Sequence, residues 1–325
     1  MELLHIIDDL PNQVKEGVRL ASGIKLENPS SLNNIVICGM GGSGFPGDVV
    51  KSLLFDSKIS ITTIKGYKLP GFVNSSTLVL VNSYSGDTEE TISAYRDALK
   101  RNAKIVVLTS GGKLKIFVDQ DNQKHKIPLI LIPKGLPPRN AIGYFVFAIL
   151  GLLHNNGIIK LDASEVSQTI DALQNKALKN KAKEIVEQIE NKLPVIYTSQ
   201  RLEGVALIWK QAFNENANIF SFYNVFPELN HEEIMAFKNP RQDLFFIFIR
   251  DEKDNPQINK RIDLTKELLK KTGMKSIELR LTDISLMVKT FVAIYIGDLV
   301  SYYLAKKYDV DPLNTDLIKD FKKRL

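Results

Sequence analysis

Short apolar runs rich in β-branched residues recur through the first half of the chain, at Asn34 to Cys38, Ile59 to Ile64, Thr77 to Asn82, Lys104 to Thr109 and Pro128 to Ile132. Segments of helical period lie between several of them, Asp87 to Asn102 being the clearest. The alternation predicts an α/β fold, a mostly parallel sheet with helices on both faces. A strongly apolar helix from Arg139 to Asn155 stops at Asn156-Gly157, a C-cap signal that marks a candidate domain boundary.

The second half repeats this grammar. A polar helical stretch from Asp162 to Lys192 leads into a strand at Pro194 to Thr198, the turn Ser199-Gln200-Arg201 and a helix from Leu202 to Asn216. Strands are predicted at Asn218 to Tyr223, Asp243 to Arg250 and Lys275 to Leu279, with helices at Pro256 to Thr272 and Ile284 to Lys307. Aligning Val36-Ile37-Cys38-Gly39 with Val195-Ile196-Tyr197-Thr198 gives two domains of similar topology, 1–156 and 157–325. Only the first keeps a glycine-rich turn, as expected of a duplication in which one half retained anion binding.

Composition narrows the picture. A chain of 325 residues with 25% charged and 44% hydrophobic positions can bury two ordinary cores. The net charge of +6 is spread over helical faces such as Lys260 to Lys271, which argues against nucleic-acid binding and for mild attraction of an anionic metabolite. The single cysteine, Cys38, rules out an internal disulfide and fits a reducing compartment. Met1 to Leu20 is too punctuated by charge for a secretory signal, and the apolar stretch Ala141 to Leu153 is too short to cross a bilayer, so a cytoplasmic protein is expected. Four scattered histidines show no zinc-ligand spacing, and no metal site is expected.

Two strand-turn-helix junctions carry candidate chemistry: Cys38-Gly39-Met40-Gly41-Gly42-Ser43-Gly44 and Asn82-Ser83-Tyr84-Ser85-Gly86-Asp87-Thr88. Each ends a strand with small, hydroxyl-bearing residues before a helix, so backbone N–H groups and a helix dipole face the turn. Two such junctions in one open sheet predict a phosphorylated ligand held at the ends of neighbouring strands. Gly39, Gly41 and Gly44 also satisfy the dinucleotide pattern G-x-G-x-x-G, but the following strand ends at Lys65-Gly66, without the acid that would hold a ribose. Asp87 with Glu90 reads as a capping box, which leaves Ser83, Ser85 and Thr88 to be explained as phosphate donors. Arg139 opposes the dipole at its predicted helix start unless an anion or carboxylate sits there. Glu215, closing an amphipathic helix, and His231, opening a later turn, gain meaning only in combination with these junctions.

Together, C-G-M-G-G-S-G, N-S-Y-S-G-D-T-E-E-T, P-P-R-N, F-N-E-N, E-L-N-H-E-E-I and a lysine-bearing terminal helix resemble, in that order, the bifunctional phosphoglucose/phosphomannose isomerase family, from about Gly39 to the C-terminus. The resemblance implies two sugar isomerase (SIS) domains, each an αβα sandwich, and a homodimer in which the second subunit contributes the histidine. It assigns phosphate contacts to Gly42, Ser43, Ser83, Ser85 and Thr88, the base to Glu215, and the cation near the reacting carbons to Arg139. His231 and a terminal lysine become the ring-opening pair. The family's I-x-x-L-K-x-x-L fits Ile318 to Leu325 with Phe321 in place of leucine, which makes Lys322 the counterpart and Lys319 the fallback. Thr315 resembles the threonine linked to acceptance of both C2 epimers.

The chemistry implied is metal- and cofactor-free interconversion of glucose 6-phosphate and mannose 6-phosphate with fructose 6-phosphate. The ring opens by acid-base transfer, and a cis-enediol(ate) forms under a carboxylate base. Rival readings are a non-catalytic sugar-phosphate sensor, for which Met1 to Leu20 is too short to supply a DNA-reading domain, and another sugar-phosphate isomerase or aminosugar enzyme.

Overall fold

A computed structural model describes residues 2–189, 191–282 and 285–324. The chain divides into two compact units, one of Asp9–Asp171 and one that joins the residues through Asp8 to Ala172–Leu325. The division differs from the boundary expected after residue 156. Helix α1 (Leu3–Asp8) buries Leu3, Ile6 and Ile7, and its Asp8 carboxylate accepts from Lys179 and Tyr295, both of the later unit. The residues after Gly157 stay with the earlier unit, where Asn156 accepts from the Leu26 N–H and His154 from that of Leu161.

In the Asp9–Asp171 unit, β1 (Asn34–Cys38), β2 (Ser60–Ile64), β3 (Thr77–Ser83), β4 (Lys104–Thr109) and β5 (Leu129–Leu131) form one parallel sheet in the order β2-β1-β3-β4-β5. The central strand β3 is buried at every position, as a sheet covered on both faces requires. On one face Val36, Cys38, Val79, Val81 and Val107 pack against Ala94, Tyr95 and Ala98 of α4 (Glu89–Lys100) and Leu114 and Val118 of α5 (Gly112–Asp121). The other face carries α2 (Leu10–Leu20), α3 (Phe45–Leu53) and α6 (Ile142–Asn155). A methyl on Gly47 of α3 would meet the Ile37 side chain at 2.9 Å, which fixes α3 on the face opposite Val36 and Cys38. The strand order reverses direction between β1 and β3, the switch point where open α/β sheets bind ligands.

The second unit follows the same plan without a fifth strand: β6 (Leu193–Ser199), β7 (Phe222–Phe226), β8 (Leu244–Asp251) and β9 (Lys275–Leu281) are parallel in the order β7-β6-β8-β9. The boundary falls within α7 (Ala163–Leu173), most of which belongs to the earlier unit; the helices of the second unit are α1 with α8 (Ala177–Ile189), α9 (Glu203–Asn216), α10 (Pro256–Lys271), α11 (Leu286–Lys307) and α12 (Asp316–Lys323). The stretch expected as one helix from Asp162 is thus broken between α7 and α8, and Ile284, where a helix was expected to begin, lies outside the described residues. Helix α11 is long and apolar enough to cross a bilayer, yet most of it is buried inside the unit, with Trp209 donating to the Ala293 carbonyl at 2.8 Å. It is a core helix.

Strand β7 starts later than the Asn218 expected. Asn218 adopts a left-handed φ of 54°, and the Asn214 amide donates to the Ile219 carbonyl, so these residues wrap the end of α9 before pairing begins.

Candidate active site

The turns that follow β1, β3 and β5 meet at the carboxyl edge of the first sheet. Residues Gly41–Ser43 form a 3-10 turn after β1, and Pro138–Asn140 form another after β5. The two are in van der Waals contact, and a Cβ on Gly42 would lie 2.4 Å from the Arg139 nitrogen, so only glycine fits there. Arg139, expected at the start of a helix, belongs instead to this separate turn before α6 and is buried at 7% exposure.

Tyr84 fastens the turns to one another. Its N–H donates to Ser43 Oγ at 2.9 Å, its hydroxyl donates to the Pro133 carbonyl at 2.7 Å, and the Leu136 N–H donates back to that hydroxyl. Burial raises the Tyr84 pKa, which keeps the phenol a donor. In the β3 turn Ser83 Oγ accepts from the Gly86 N–H and donates to Thr88 Oγ1 at 3.2 Å. Ser83 and Ser43 are buried, Ser85 is exposed and Thr88 and Gly42 are half-buried. The five residues assigned to phosphate therefore fall into two kinds: Ser43 and Ser83 are buried and brace the turns from within, while Ser85, Thr88 and Gly42 keep part of their surface open.

Asp87 is not the helix cap expected. Thr88 occupies the position before α4, and the Asp87 carboxylate accepts from the Lys113 N–H at the start of α5, tying the turn to its neighbour.

In the second unit Glu215 sits in the last turn of α9, which carries the chain back to the amino edge of its sheet before β7 begins. Gln211, one turn earlier, donates to Glu215 Oε1 at 2.7 Å. Glu215 and Thr315 line one cavity of about 220 Å³ with Asn214, Asn218, Asn314 and the first residues of α12. The structure thus brings together two residues that lie far apart in sequence. Gln211 escaped the sequence reading, although its four-residue spacing from Glu215 on one helix face was a usable signal.

His231 is elsewhere. It follows β7 and a 3-10 turn, Glu228–Asn230, so it lies at the carboxyl edge of the same sheet, exposed, with its N–H on the Glu228 carbonyl. The five residues of β7 separate the two edges, roughly 15 Å at the usual strand rise. Asn224 donates to Glu232 and Glu233 beside it. Lys322 is exposed on α12, a helix that buries none of its residues, and it does not line the Glu215 cavity; Lys319 pairs with Asp316 at 3.7 Å. Leu325, the last position of the terminal motif, lies outside the described residues. Among the described residues no three His, Cys, Asp or Glu side chains gather as a metal site requires.

A family model described as the bacterial phospho-glucose isomerase C-terminal SIS domain matches residues 178–325. A bifunctional phosphoglucose/phosphomannose isomerase of Caldicellulosiruptor bescii is 35% identical over 332 residues, covering 98% of this chain and 97% of its own. That of Thermoplasma acidophilum is 37% identical over 299 residues, 91% of this chain and 90% of its own. Among solved structures, a hypothetical protein of Thermus thermophilus superposes with a TM-score of 0.76 at 16% identity, covering 98% of this chain and 89% of its own, a likeness of fold. Matched nearly end to end with such relatives, and carrying the paired turns that hold Gly42 and Ser85, the chain belongs to the bifunctional phosphoglucose/phosphomannose isomerase family.

Proposed function

We propose that this protein interconverts glucose 6-phosphate and mannose 6-phosphate with fructose 6-phosphate, in the cytoplasm, as a homodimer. The observation that carries the site assignment is the shared cavity of Glu215 and Thr315, a carboxylate and a hydroxyl set together although they lie far apart in sequence. Ser85, Thr88 and the Gly42 turn hold the phosphate, which fixes the sugar carbons for reaction. Glu215 removes the proton from C2 of the open-chain aldose and returns it to C1 of the enediolate, giving the ketose; the reverse steps regenerate either C2 epimer. Arg139 opposes the negative charge that grows on the enediolate oxygens. His231 and Lys322 exchange protons with the ring oxygen and the anomeric hydroxyl to open the ring. Thr315 bears on acceptance of the mannose epimer.

The placement of Glu215 and His231 at opposite edges of one sheet, with the length of β7 between them, supports a site shared between two chains. A second copy then supplies the histidine, as in an isologous dimer. In Glu215→Gln, hydrogen exchange at C2 with deuterated solvent is expected to fall about 10²- to 10⁴-fold while inorganic phosphate still binds. Near-normal exchange in that variant sinks the assignment of the base.

A further inference from the structure

Asn82 is fully buried at 0% exposure, and neither atom of its carboxamide has a hydrogen-bond partner among the described residues. Leaving such atoms unpaired forfeits their hydration with nothing in return, so a buried amide with both ends open marks a place completed by something else. Its position says where that is. Ile37 pairs with Leu80 in the register of β1 and β3, and residues two apart share a face, so Asn82 extends the Ile37 and Leu80 row one step beyond the strand pair. That row lies under α3, opposite the Val79 and Val81 row that packs on α4 and α5.

Asn82 is therefore level with Gly39, directly beneath the switch point between β1 and β3. The two strands run so close there that a Cβ on Gly39 would lie 2.7 Å from the Asn82 carbonyl oxygen. The next residues of each strand exit lead into the Gly42 and Ser83 turns. Asn140 Oδ1, in the turn that touches Gly42, is likewise buried without a partner among the described residues.

A carboxamide offers a donor and an acceptor side by side. This pair matches a hydroxyl group or a water, which can both accept and donate; a phosphate dianion would set its negative oxygens against the amide oxygen. Resting on the isomerase reading above, we propose that Asn82 is a positioning residue for the sugar. Its carboxamide holds one water beneath the crevice, and that water braces a hydroxyl of the hexose chain while Ser85 and Thr88 take the phosphate.

Binding of fructose 6-phosphate and of inorganic phosphate to Asn82→Leu, measured by calorimetry beside turnover, tests this. Leucine is close in size and removes the unpaired amide. Fructose 6-phosphate affinity and kcat/KM are expected to fall about tenfold, with inorganic phosphate affinity within twofold of wild type and an unchanged or higher urea midpoint. Asn82→Ser, which keeps a donor and an acceptor and leaves room for water, is expected to recover most of the loss. Unchanged sugar affinity in Asn82→Leu overturns the proposal, as does an equal loss of sugar and inorganic phosphate, which would mean a collapsed turn. A wild-type chain that bound fructose 6-phosphate without isomerising it would sink the isomerase reading and leave this binding test intact.

Discussion

Where β3 ends, the chain reads Ser83-Tyr84-Ser85-Gly86-Asp87-Thr88; where the corresponding strand β8 ends, it reads Asp251-Glu252-Lys253-Asp254. The strands occupy the same place in sheets of the same order, β2-β1-β3-β4 and β7-β6-β8-β9. The first exit is lined by hydroxyls and backbone N–H groups, the surroundings proposed above to hold a phosphate. The second is acidic, and its Asp251 is already neutralised by Lys289 at 2.5 Å, with both side chains at most 2% exposed. One architecture thus offers two carboxyl edges, and short stretches of sequence decide that one carries hydroxyl-rich turns, proposed to receive a phosphate, while the other holds a buried ion pair and an exposed His231.

The largest effect that sharpens this contrast lies at His231. His231→Ala is expected to lose about 10²- to 10⁴-fold in turnover. Mixed and refolded with Glu215→Gln, it is expected to regain roughly a quarter of wild-type activity, since half the dimers are mixed and each then holds one intact site of two. No recovery would place both residues of a site on one chain.

Next comes the ion pair that closes the second edge. Lys289→Met leaves the Asp251 charge buried and is expected to destabilise by about 3–5 kcal/mol, read from urea unfolding through Trp209, the sole tryptophan, in the same unit. Adding Asp251→Asn is expected to return more than half of that loss. Additive losses would show that the pair is not the cause.

At the first edge, Gly42→Ala drives a methyl into the Arg139 backbone and is expected to cut kcat/KM about 100-fold by displacing the turn. Gln200→Ala, in the exposed turn after β6, is expected to stay within about twofold, as surface changes generally do. Similar losses in both would mean that the two turns are not specialised.

The smallest effect concerns Cys38 at the end of β1, where the second sheet has Tyr197. Burial pushes the Cys38 thiol up to about 12, so the native protein is expected to resist thiol reagents at pH 8 and to react once per chain in urea. The raised value fixes the sign. This contribution to stability is whole below the unfolded thiol's pKa near 8.5, and declines as pH rises from there toward about 12. A midpoint that rose over that interval would contradict it.

Much of this was legible in the sequence, because the strands are short apolar runs whose period and β-branched content leave little choice: β1 and β4 fall at the residues expected. The paired turns were legible too, since small residues after a strand have few other uses. Misreadings came where a local signal had a tertiary competitor. Asp87 looks like a cap until Lys113 arrives from α5 to take its carboxylate. Asn218 looks like the start of a strand until the end of α9 claims it. Glu215 and His231 are only sixteen positions apart in the chain, yet a whole strand crossing lies between them. The Glu215 and Thr315 cavity could not be read from spacing at all, because it forms only when α9 and the residues leading into α12 return to one edge of the sheet.

That strand crossing has a consequence for how the protein behaves in a cell or a test tube. If the base and the ring-opening histidine of one site come from two chains, a correctly folded single chain is catalytically silent, and rate per molecule becomes a function of concentration. Dilution alone would then act as an off switch, reversed on concentrating, with no unfolding and no inhibitor involved.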